Sequence, residues 1–194
     1  MRPVDLVVVG ASLGGLTAIR QFLTVLPAAF APAVAIAQHR QASADGRRLT
    51  DLLGSVTQLP VGEPEDKEPI NGGRVYVAPA NYHLIVDEGM FWLTVDAPVL
   101  YARPSIDVLF ESAAESFGEG VVAVVLTGSS EDGAAGSRAI KRAGGTVLVQ
   151  DPSSAESPTL PRATISGTIV DRILPLPDLA HALVELVRAR AGVG

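Results

Sequence analysis

Residues 6–15, Leu6-Val7-Val8-Val9-Gly10-Ala11-Ser12-Leu13-Gly14-Gly15, join an apolar run to a serine that lies among small residues. The run is rich in β-branched residues and lacks polar alternation, which predicts a strand buried on both faces. The spacing Gly10-x-Ser12-x-Gly14 predicts a sharp turn from this strand into a helix, because glycine lets the backbone bend and the hydroxyl project from the sheet edge. The start of such a helix has unpaired N–H groups that can hold an oxyanion or a phosphate.

This turn has three interpretations: a nucleophile elbow, a loop that binds a phosphate or a dinucleotide, and a purely structural turn. The dinucleotide fingerprint requires glycine where Ser12 stands and an acidic residue after the second strand. The second apolar run instead ends in Gln38-His39-Arg40, and no Gly-Lys-Ser/Thr sequence follows the first run, which excludes a P-loop. A hydrolytic serine is therefore the leading interpretation, provided that the chain supplies a base and an acid that orients it.

Length and composition narrow the class of protein. The 194 residues fit one domain, residues 1–194, and 47% hydrophobic residues are enough for a core. No apolar run reaches the ~18 residues of a membrane span, and the first residues lead into a strand, so we expect a cytoplasmic protein without membrane insertion. The absence of cysteine excludes a cysteine nucleophile and a metal site with thiolate ligands. The net charge of −6 argues against nucleic acid as the main partner.

Apolar runs and helical periodicities alternate along most of the chain. Strands are predicted near residues 5–10, 33–37, 121–126, 146–149 and 169–174, and helices near residues 14–26, 49–54, 104–113, 133–143 and 177–190, with Pro104 at a first helical position. Residues 61–73 predict an exposed loop, a Ser/Pro-rich loop follows Asp151, and three short runs over residues 74–95 predict a hairpin excursion at an edge of the main sheet. The fold class is α/β, a doubly wound, mainly parallel sheet with helices on both faces and a small antiparallel hairpin excursion.

Three chemically useful side chains each follow a predicted buried strand. Ser12, His39 and Asp132 fall at the carboxyl ends, where open α/β sheets bind ligands. A histidine can accept the serine proton, and a carboxylate can orient the imidazole and stabilise its charged form, so the three predict a catalytic triad. Each residue alone also has an ordinary structural interpretation, a helix N-cap for Ser12 and Asp132 and a hydrogen-bonded surface histidine for His39.

Other residues are weaker candidates for the same roles. His83 and His181 are the alternative bases, and Asp107 and Asp151 are the alternative acids. The chain order serine, histidine, aspartate differs from the order serine, aspartate, histidine of α/β-hydrolases, which argues against an ordinary member of that fold.

Taken together, these motifs are similar to a known family. The chain resembles the catalytic domain of the chemotaxis-type protein-glutamate methylesterases over about residues 7–183. The matching stretches are Val9-Gly10-Ala11-Ser12-x-Gly14-Gly15, Gln38-His39, Gly73-Arg74-Val75-Tyr76-Val77-Ala78-Pro79 with His83-Leu84, Arg103-Pro104-Ser105-Ile106-Asp107-Val108-Leu109-Phe110, Leu126-Thr127-Gly128, Asp132-Gly133-Ala134-Ala135-Gly136, Ala143-Gly144-Gly145, Gln150-Asp151 and Pro161-Arg162.

The resemblance implies a function and a site. Its implied reaction is hydrolysis of glutamate methyl esters on chemoreceptor cytoplasmic helices or another methylated protein, often with deamidation of receptor glutamines. Ser12 is the implied nucleophile, His39 the base and Asp132 the orienting acid, with no metal or organic cofactor. Backbone N–H groups near Leu13 and in the turn 128–130 are our candidates for the oxyanion hole.

The chain also departs from the family pattern at positions expected on the rim of the site. Leu13 replaces a threonine, Ser129-Ser130 replaces Met-Gly, and Thr159-Leu160 replaces Gly-Met. These departures motivate one alternative, a regulatory or binding module with weakened catalysis. A second alternative is a small-molecule esterase, which a pocket too closed to admit a helix would favour. The usual N-terminal receiver domain has no counterpart before the first strand at about residue 5, so we expect either a stand-alone protein, on which a receiver domain would act in trans, or a domain excised from a longer protein.

Overall fold

The order of strands and helices follows the alternation in the sequence. The computed structural model describes residues 2–40 and 46–192. The strands within these ranges are β1 (Leu6–Ala11), β2 (Ala33–Gln38), β3 (Val61–Gly62), β4 (Glu68–Pro69), β5 (Val75–Val77), β6 (His83–Asp87), β7 (Met90–Thr94), β8 (Val121–Val125), β9 (Thr146–Gln150) and β10 (Arg172–Leu174). The α-helices are α1 (Gly15–Val25), α2 (Gly46–Gly54), α3 (Ile106–Phe117), α4 (Ala134–Arg142), α5 (Thr159–Gly167) and α6 (Leu176–Ala191).

Seven strands form a parallel sheet in the order β10-β9-β8-β1-β2-β5-β3. The chain winds from β1 through β2 towards one edge and later from β8 through β10 towards the other, so the strand order reverses beside β1. In doubly wound folds this reversal opens a crevice at the carboxyl ends of the strands. Gly10 of β1 lies between Ala37 of β2 and Val125 of β8, so Ser12 emerges at this crevice.

Helices cover both faces of the sheet, as predicted. Alternate residues of β1 enter different cores: Val7 and Val9 pack on the face that α1, α2 and α6 cover. Leu6 and Val8 pack on the face that α3, α4 and α5 cover. Because every residue of β1 is buried, the strand shows the unbroken apolar sequence of a central parallel strand. None of the helices that the structure describes is both long and apolar enough to cross a membrane.

The antiparallel excursion exists, but its placement differs from the prediction. Strands β4, β7 and β6 form a separate three-stranded sheet and, within the described residues, pair with no strand of the main sheet. Leu84, Val86 and Phe91 pack into the same core as Tyr76 of β5 and helix α3. The run 74–78 belongs to the main sheet, because β5 pairs in parallel with β2. The predicted loop 61–73 contains the short strands β3 and β4.

Three element boundaries also differ from the sequence prediction. Helix α5 lies in the stretch predicted as a loop, with Pro161 in its first turn, where a missing N–H costs no hydrogen bond. Pro104 precedes α3, since Ser105 is the N-cap and its side chain accepts a hydrogen bond from the Val108 N–H. Strand β10 is limited to residues 172–174, and Ile169, predicted within it, is exposed.

Candidate active site

Ser12 lies in a tight turn between β1 and α1. Its N–H donates to the Thr127 carbonyl (3.0 Å), and its carbonyl accepts from the Gly15 N–H (2.9 Å). Gly14 has φ 77° as the N-cap of α1, and a β-carbon there would lie 2.6–2.9 Å from atoms of the Glu156 side chain. The turn therefore needs glycine at position 14, both for the left-handed backbone and for space. The predicted strand-to-helix turn is confirmed.

Gln38 connects the Ser12 turn to His39. Its Nε2 donates to the Ser12 carbonyl (2.8 Å) and to the His39 carbonyl (3.0 Å). Its Oε1 is buried and has no hydrogen-bond partner among the described residues. The sequence prediction missed this role, because the contact depends on the pairing of Ala11 with Gln38 across β1 and β2. The side chain of Gln38 therefore fixes the backbone of two predicted site residues at once.

His39 and Asp132 meet directly. His39 Nε2 lies 2.7 Å from Asp132 Oδ2, and the His39 side chain is 13% exposed whereas that of Asp132 is fully buried. The contact uses Nε2, so Nδ1 is the ring nitrogen that remains available to accept a proton. Ser12 and His39 line one cavity, but no hydrogen bond joins their side chains among the described contacts. Such bonds are often long in a free enzyme and shorten when substrate binds.

Asp132 is held as a buried carboxylate by a set of donors. Its Oδ1 accepts from Ser105 Oγ (2.8 Å) and from the Asp107 N–H (2.9 Å), and its Oδ2 accepts from the Ile106 N–H (2.8 Å) in addition to the His39 ring. Burial opposes ionisation, but the hydrogen bonds from His39, these two N–H groups and Ser105 outweigh it, so the pKa of Asp132 lies below its usual value. Asp132 thus keeps its negative charge beside the imidazole.

The N-cap interpretation of Asp132 needs correction. Asp132 does not cap α4, the helix that follows it, since Gly133 is the N-cap there with φ 119°. Its carboxylate instead accepts the first N–H groups of α3. An anion at this helix start also interacts favourably with the α3 dipole. The residue therefore combines a capping role with its contact to His39.

Asp107, one alternative acid, contacts α4 rather than a histidine. Its Oδ1 accepts from the Gly133 N–H (2.8 Å) and from the Gly136 N–H (2.7 Å). Burial and the charges of Asp132 and Glu111 raise the pKa of Asp107 to about 6, although the two N–H donors oppose this rise. The other alternative, Asp151, accepts from the Ser153 N–H in a local turn (2.8 Å). Among the described contacts, neither carboxylate reaches a histidine.

The two alternative bases also have other roles. His83 is buried, its Nδ1 accepts from the Ser105 N–H (3.2 Å), and its Nε2 lies 3.1 Å from the Ala97 carbonyl. Because Nδ1 accepts a hydrogen bond and Nε2 faces a carbonyl oxygen, the ring proton lies on Nε2. His181 is exposed on α6 and bonds the Pro177 carbonyl. Both ring nitrogens of His83 are therefore occupied, and His181 is not among the residues that line the cavity at Ser12.

Two cavities of about 520 Å³ each meet at Ser12 and His39. One extends towards Arg40, Asn81 and the segment 98–103, and the other extends along the start of α1 towards Glu156. Together they form an open groove with arginines at one end and a carboxylate at the other. Among the described residues, no cluster of three or more histidine, aspartate or glutamate side chains is arranged to hold a metal ion.

The structure changes part of the oxyanion-hole prediction. The Gly128 N–H donates to the Ser157 carbonyl (3.0 Å), so the prediction is wrong for this group. The N–H groups of Leu13 and Ser129 have no acceptor among the described contacts, and both residues line the groove beside Ser12.

Of the three departures from the family pattern, Leu13 and Ser129 lie on the rim of the groove. Leu160 is instead buried in the core, so its predicted rim position is wrong.

Comparisons with a family model and with individual relatives point to the same family. The family model described as CheB methylesterase matches residues 7–183. The chain is 40% identical over 183 residues to a putative protein-glutamate methylesterase/protein-glutamine glutaminase of Leptospira interrogans, which covers 94% of each chain. It is 41% identical over 187 residues to protein-glutamate methylesterase/protein-glutamine glutaminase 2 of Anaeromyxobacter dehalogenans, which covers 95% of this chain but 54% of that relative.

A solved structure supports the same assignment. The crystal structure of the Thermotoga maritima CheB methylesterase catalytic domain superposes with a TM-score of 0.89 at 32% sequence identity. The match covers 94% of this chain and 98% of that one. The sheet order and the helices on both faces thus belong to a shared catalytic-domain fold, and this chain is a member of the CheB methylesterase family.

Proposed function

We propose that this domain hydrolyses glutamyl methyl esters on a methylated protein, with Ser12 as nucleophile, His39 as base and Asp132 as orienting acid. The observation that carries the proposal is the 2.7 Å contact between His39 Nε2 and the buried Asp132 carboxylate, next to a serine on a strand-to-helix turn. Family membership and the names of the relatives support the choice of ester. The same acyl chemistry extends to the side-chain amide of glutamine.

The first half of the reaction forms an acyl-enzyme. Ser12 Oγ attacks the ester carbonyl carbon and passes its proton to His39 Nδ1. The Asp132 carboxylate stabilises the imidazolium and keeps Nε2 protonated. When the tetrahedral intermediate collapses, the bond to the methoxy oxygen breaks and His39 returns the proton, so methanol leaves. The glutamyl side chain is then esterified to Ser12.

The second half hydrolyses the acyl-enzyme. A water molecule gives a proton to His39 Nδ1 and attacks the same carbonyl carbon. The bond to Ser12 Oγ breaks, His39 returns the proton to that oxygen, and a glutamate carboxyl is released. The N–H groups of Leu13 and Ser129, close to the start of α1, are the donors that we assign to the oxyanion in both halves.

The groove favours a polypeptide over a small molecule as substrate. Open cavities extend from Ser12 in two directions, so that residues on both sides of the reacting side chain have room. A small-molecule esterase instead usually encloses most of its ligand. Together with the family, this groove leads us to propose chemoreceptor cytoplasmic helices, in the cytoplasm, as the substrate, and a receiver domain as the regulator.

The decisive experiment is covalent labelling with a fluorophosphonate. We expect rapid modification at Ser12 in the wild-type protein, loss of labelling in Ser12→Ala, and strongly slowed labelling in His39→Ala. Methanol release from a methylated chemoreceptor fragment would fall by about 10³-fold or more in Ser12→Ala. A folded wild-type protein that the probe does not label would refute the proposal and favour a binding module.

A further inference from the structure

Leu100 and Tyr101 occupy an unusual turn beside the groove. The N–H of Val99 donates to the Ala102 carbonyl (3.1 Å), and the N–H of Ala102 donates to the Val99 carbonyl (2.8 Å), so the two residues between them close a tight hairpin. Leu100 has φ 46° and Tyr101 has φ 65°. Positive φ at both central positions is the signature of a type I′ turn, which Asn-Gly normally fills, because a β-carbon makes this backbone unfavourable.

The neighbouring structure holds this turn in place. Arg103 Nη1 donates to the carbonyls of Val95 (2.7 Å) and Asp96 (2.9 Å), and the buried His83 ring bonds the Ala97 carbonyl (3.1 Å). These hydrogen bonds fix the segments on both sides of the turn. The surrounding structure therefore determines the backbone conformation of the turn, against the local preference of its residues. Strain that is maintained in this way often marks a functional segment.

The tip of the turn contributes little to the folded core. Tyr101 is 103% exposed and Leu100 is 55% exposed. Burial therefore explains neither the apolar side chains nor the unfavourable backbone. A rigid turn that presents an aromatic ring and a leucine to solvent is suited to contact another molecule, because aromatic side chains supply large contact area at low entropic cost.

The turn lies at the mouth of the cavity that contains Ser12 and His39. Arg40 and Arg103 also line this cavity, and among the described residues that line it there is no carboxylate. Arg40 pairs with Glu63, whereas the described contacts of Arg103 are to neutral carbonyl groups. The charge of Arg103 therefore favours an acidic group on whatever approaches from this side.

We propose that the Leu100–Tyr101 turn is a substrate-contact site that packs against an apolar side chain of an acidic protein segment carrying the ester. This inference rests on the proposed function, since it concerns the polypeptide that reaches Ser12. Arg103 supports the turn from below and attracts acidic residues of the same segment. The turn selects the protein substrate and takes no part in bond cleavage.

The test is the double variant Leu100→Asn/Tyr101→Gly, which places the preferred type I′ residues in the same backbone. We expect the melting temperature to rise by about 3–8 °C, because the strain is relieved. We expect the ratio of kcat/KM for a methylated chemoreceptor fragment to kcat/KM for p-nitrophenyl acetate to fall at least tenfold. Ile169→Asn, which removes another exposed apolar side chain near β10, is the matched control and leaves this ratio unchanged.

The outcomes separate this inference from the proposed function. A wild-type protein that cleaves the fragment and a double variant with an unchanged ratio would overturn the inference alone. A melting temperature that falls in the double variant would also count against it, because the turn would then not be strained. A wild-type protein that neither reacts with a fluorophosphonate at Ser12 nor releases methanol would overturn the proposed function and this inference with it.

Discussion

Asp107 and Asp132 each cap the helix that begins beside the other. Asp132, directly before α4, accepts the N–H groups of Ile106 and Asp107 at the start of α3. Asp107, in the first turn of α3, accepts N–H groups at the start of α4. Two carboxyl groups therefore share one buried site. The pKa of Asp132 is lowered while that of Asp107 is raised to about 6, so Asp132 is the carboxyl that stays ionised beside His39.

Asp107→Asn should stabilise the protein at high pH. Folding raises the pKa of Asp107 from 3.8 to about 6, so its contribution to stability is largest below pH 3.8 and is lost as the pH rises to about 6. Asparagine keeps an oxygen for the Gly133 and Gly136 N–H groups but carries no charge. We expect the free energy of unfolding to exceed that of wild type by on the order of 2 kcal/mol at pH 8, with a smaller difference at pH 4.5.

Urea unfolding at both pH values measures this difference. Asp87→Asn, which removes an exposed carboxylate from the β6–β7 hairpin, is the control for the loss of one negative charge. An Asp107→Asn variant that is less stable than wild type by the same amount at both pH values would contradict the assigned pKa of Asp107. In that case the residue would act only as a cap.

Asp132→Asn should abolish most activity even if the protein folds. Wherever the amide nitrogen lies, it meets a donor: at the Oδ1 position it faces the Asp107 N–H, and at the Oδ2 position it faces the Ile106 N–H. In the second position it also donates to His39 Nε2, which moves the ring proton to Nδ1 and blocks proton transfer from Ser12. We expect kcat to fall by about 10³–10⁴-fold.

The rate of fluorophosphonate labelling at Ser12 reports this effect without the natural substrate. Asp107→Asn is the matched variant, because it makes the same chemical change in the adjacent carboxyl without touching the histidine. A loss below tenfold in Asp132→Asn would exclude Asp132 as the acid that orients His39.

Gln38→Glu should slow the reaction while leaving the fold intact. A carboxylate cannot donate to the carbonyls of Ser12 and His39, which lie 2.8 Å and 3.0 Å from Nε2, and it would repel both. We expect kcat to fall at least tenfold, because the backbone of both residues loses its common anchor. Gln21→Glu, an exposed position on α1, gives the matched change of charge. Equal kcat values in the two variants would show that Gln38 does not position the site.

The sequence predicted the central strands of the main sheet because these strands are the longest and are fully buried. Apolar residues dominate β1, β2, β8 and β9, and Ser12 and His39 directly follow the first two of these strands. By contrast, β3 and β4 contain two residues each, too few for any periodicity. Helix α5 forms in a stretch with poor helix signals because Leu160 packs in the core against Gly128 and Gly133, a contact that local propensity does not contain.

The prediction of the site depended on locating the carboxyl ends of the strands. Each strand end could be located, so Ser12, His39 and Asp132 could be placed at one edge of the sheet. The role of Gln38 required the register of β2 against β1, and the engagement of the Gly128 N–H required the position of Ser157. Hydrogen bonds between distant segments are set by tertiary packing, which a pattern of residue types does not specify.

Gly14→Ala should both destabilise the protein and displace Ser12. Alanine at φ 77° is unfavourable by about 1–2 kcal/mol, and its β-carbon would lie within 3 Å of three atoms of Glu156, the nearest at 2.6 Å. We therefore expect a loss of about 3 kcal/mol or more in the free energy of unfolding and slower fluorophosphonate labelling.

The double variant Gly14→Ala/Glu156→Gly separates the two causes, because it removes all three clashing atoms and leaves the left-handed backbone. Its free energy of unfolding should lie below that of Glu156→Gly by only the backbone penalty of about 1–2 kcal/mol. Chemical denaturation of the four proteins gives the coupling energy. If Gly14→Ala costs the same in both backgrounds, Glu156 does not pack over the start of α1, and the shape derived for this end of the groove is wrong.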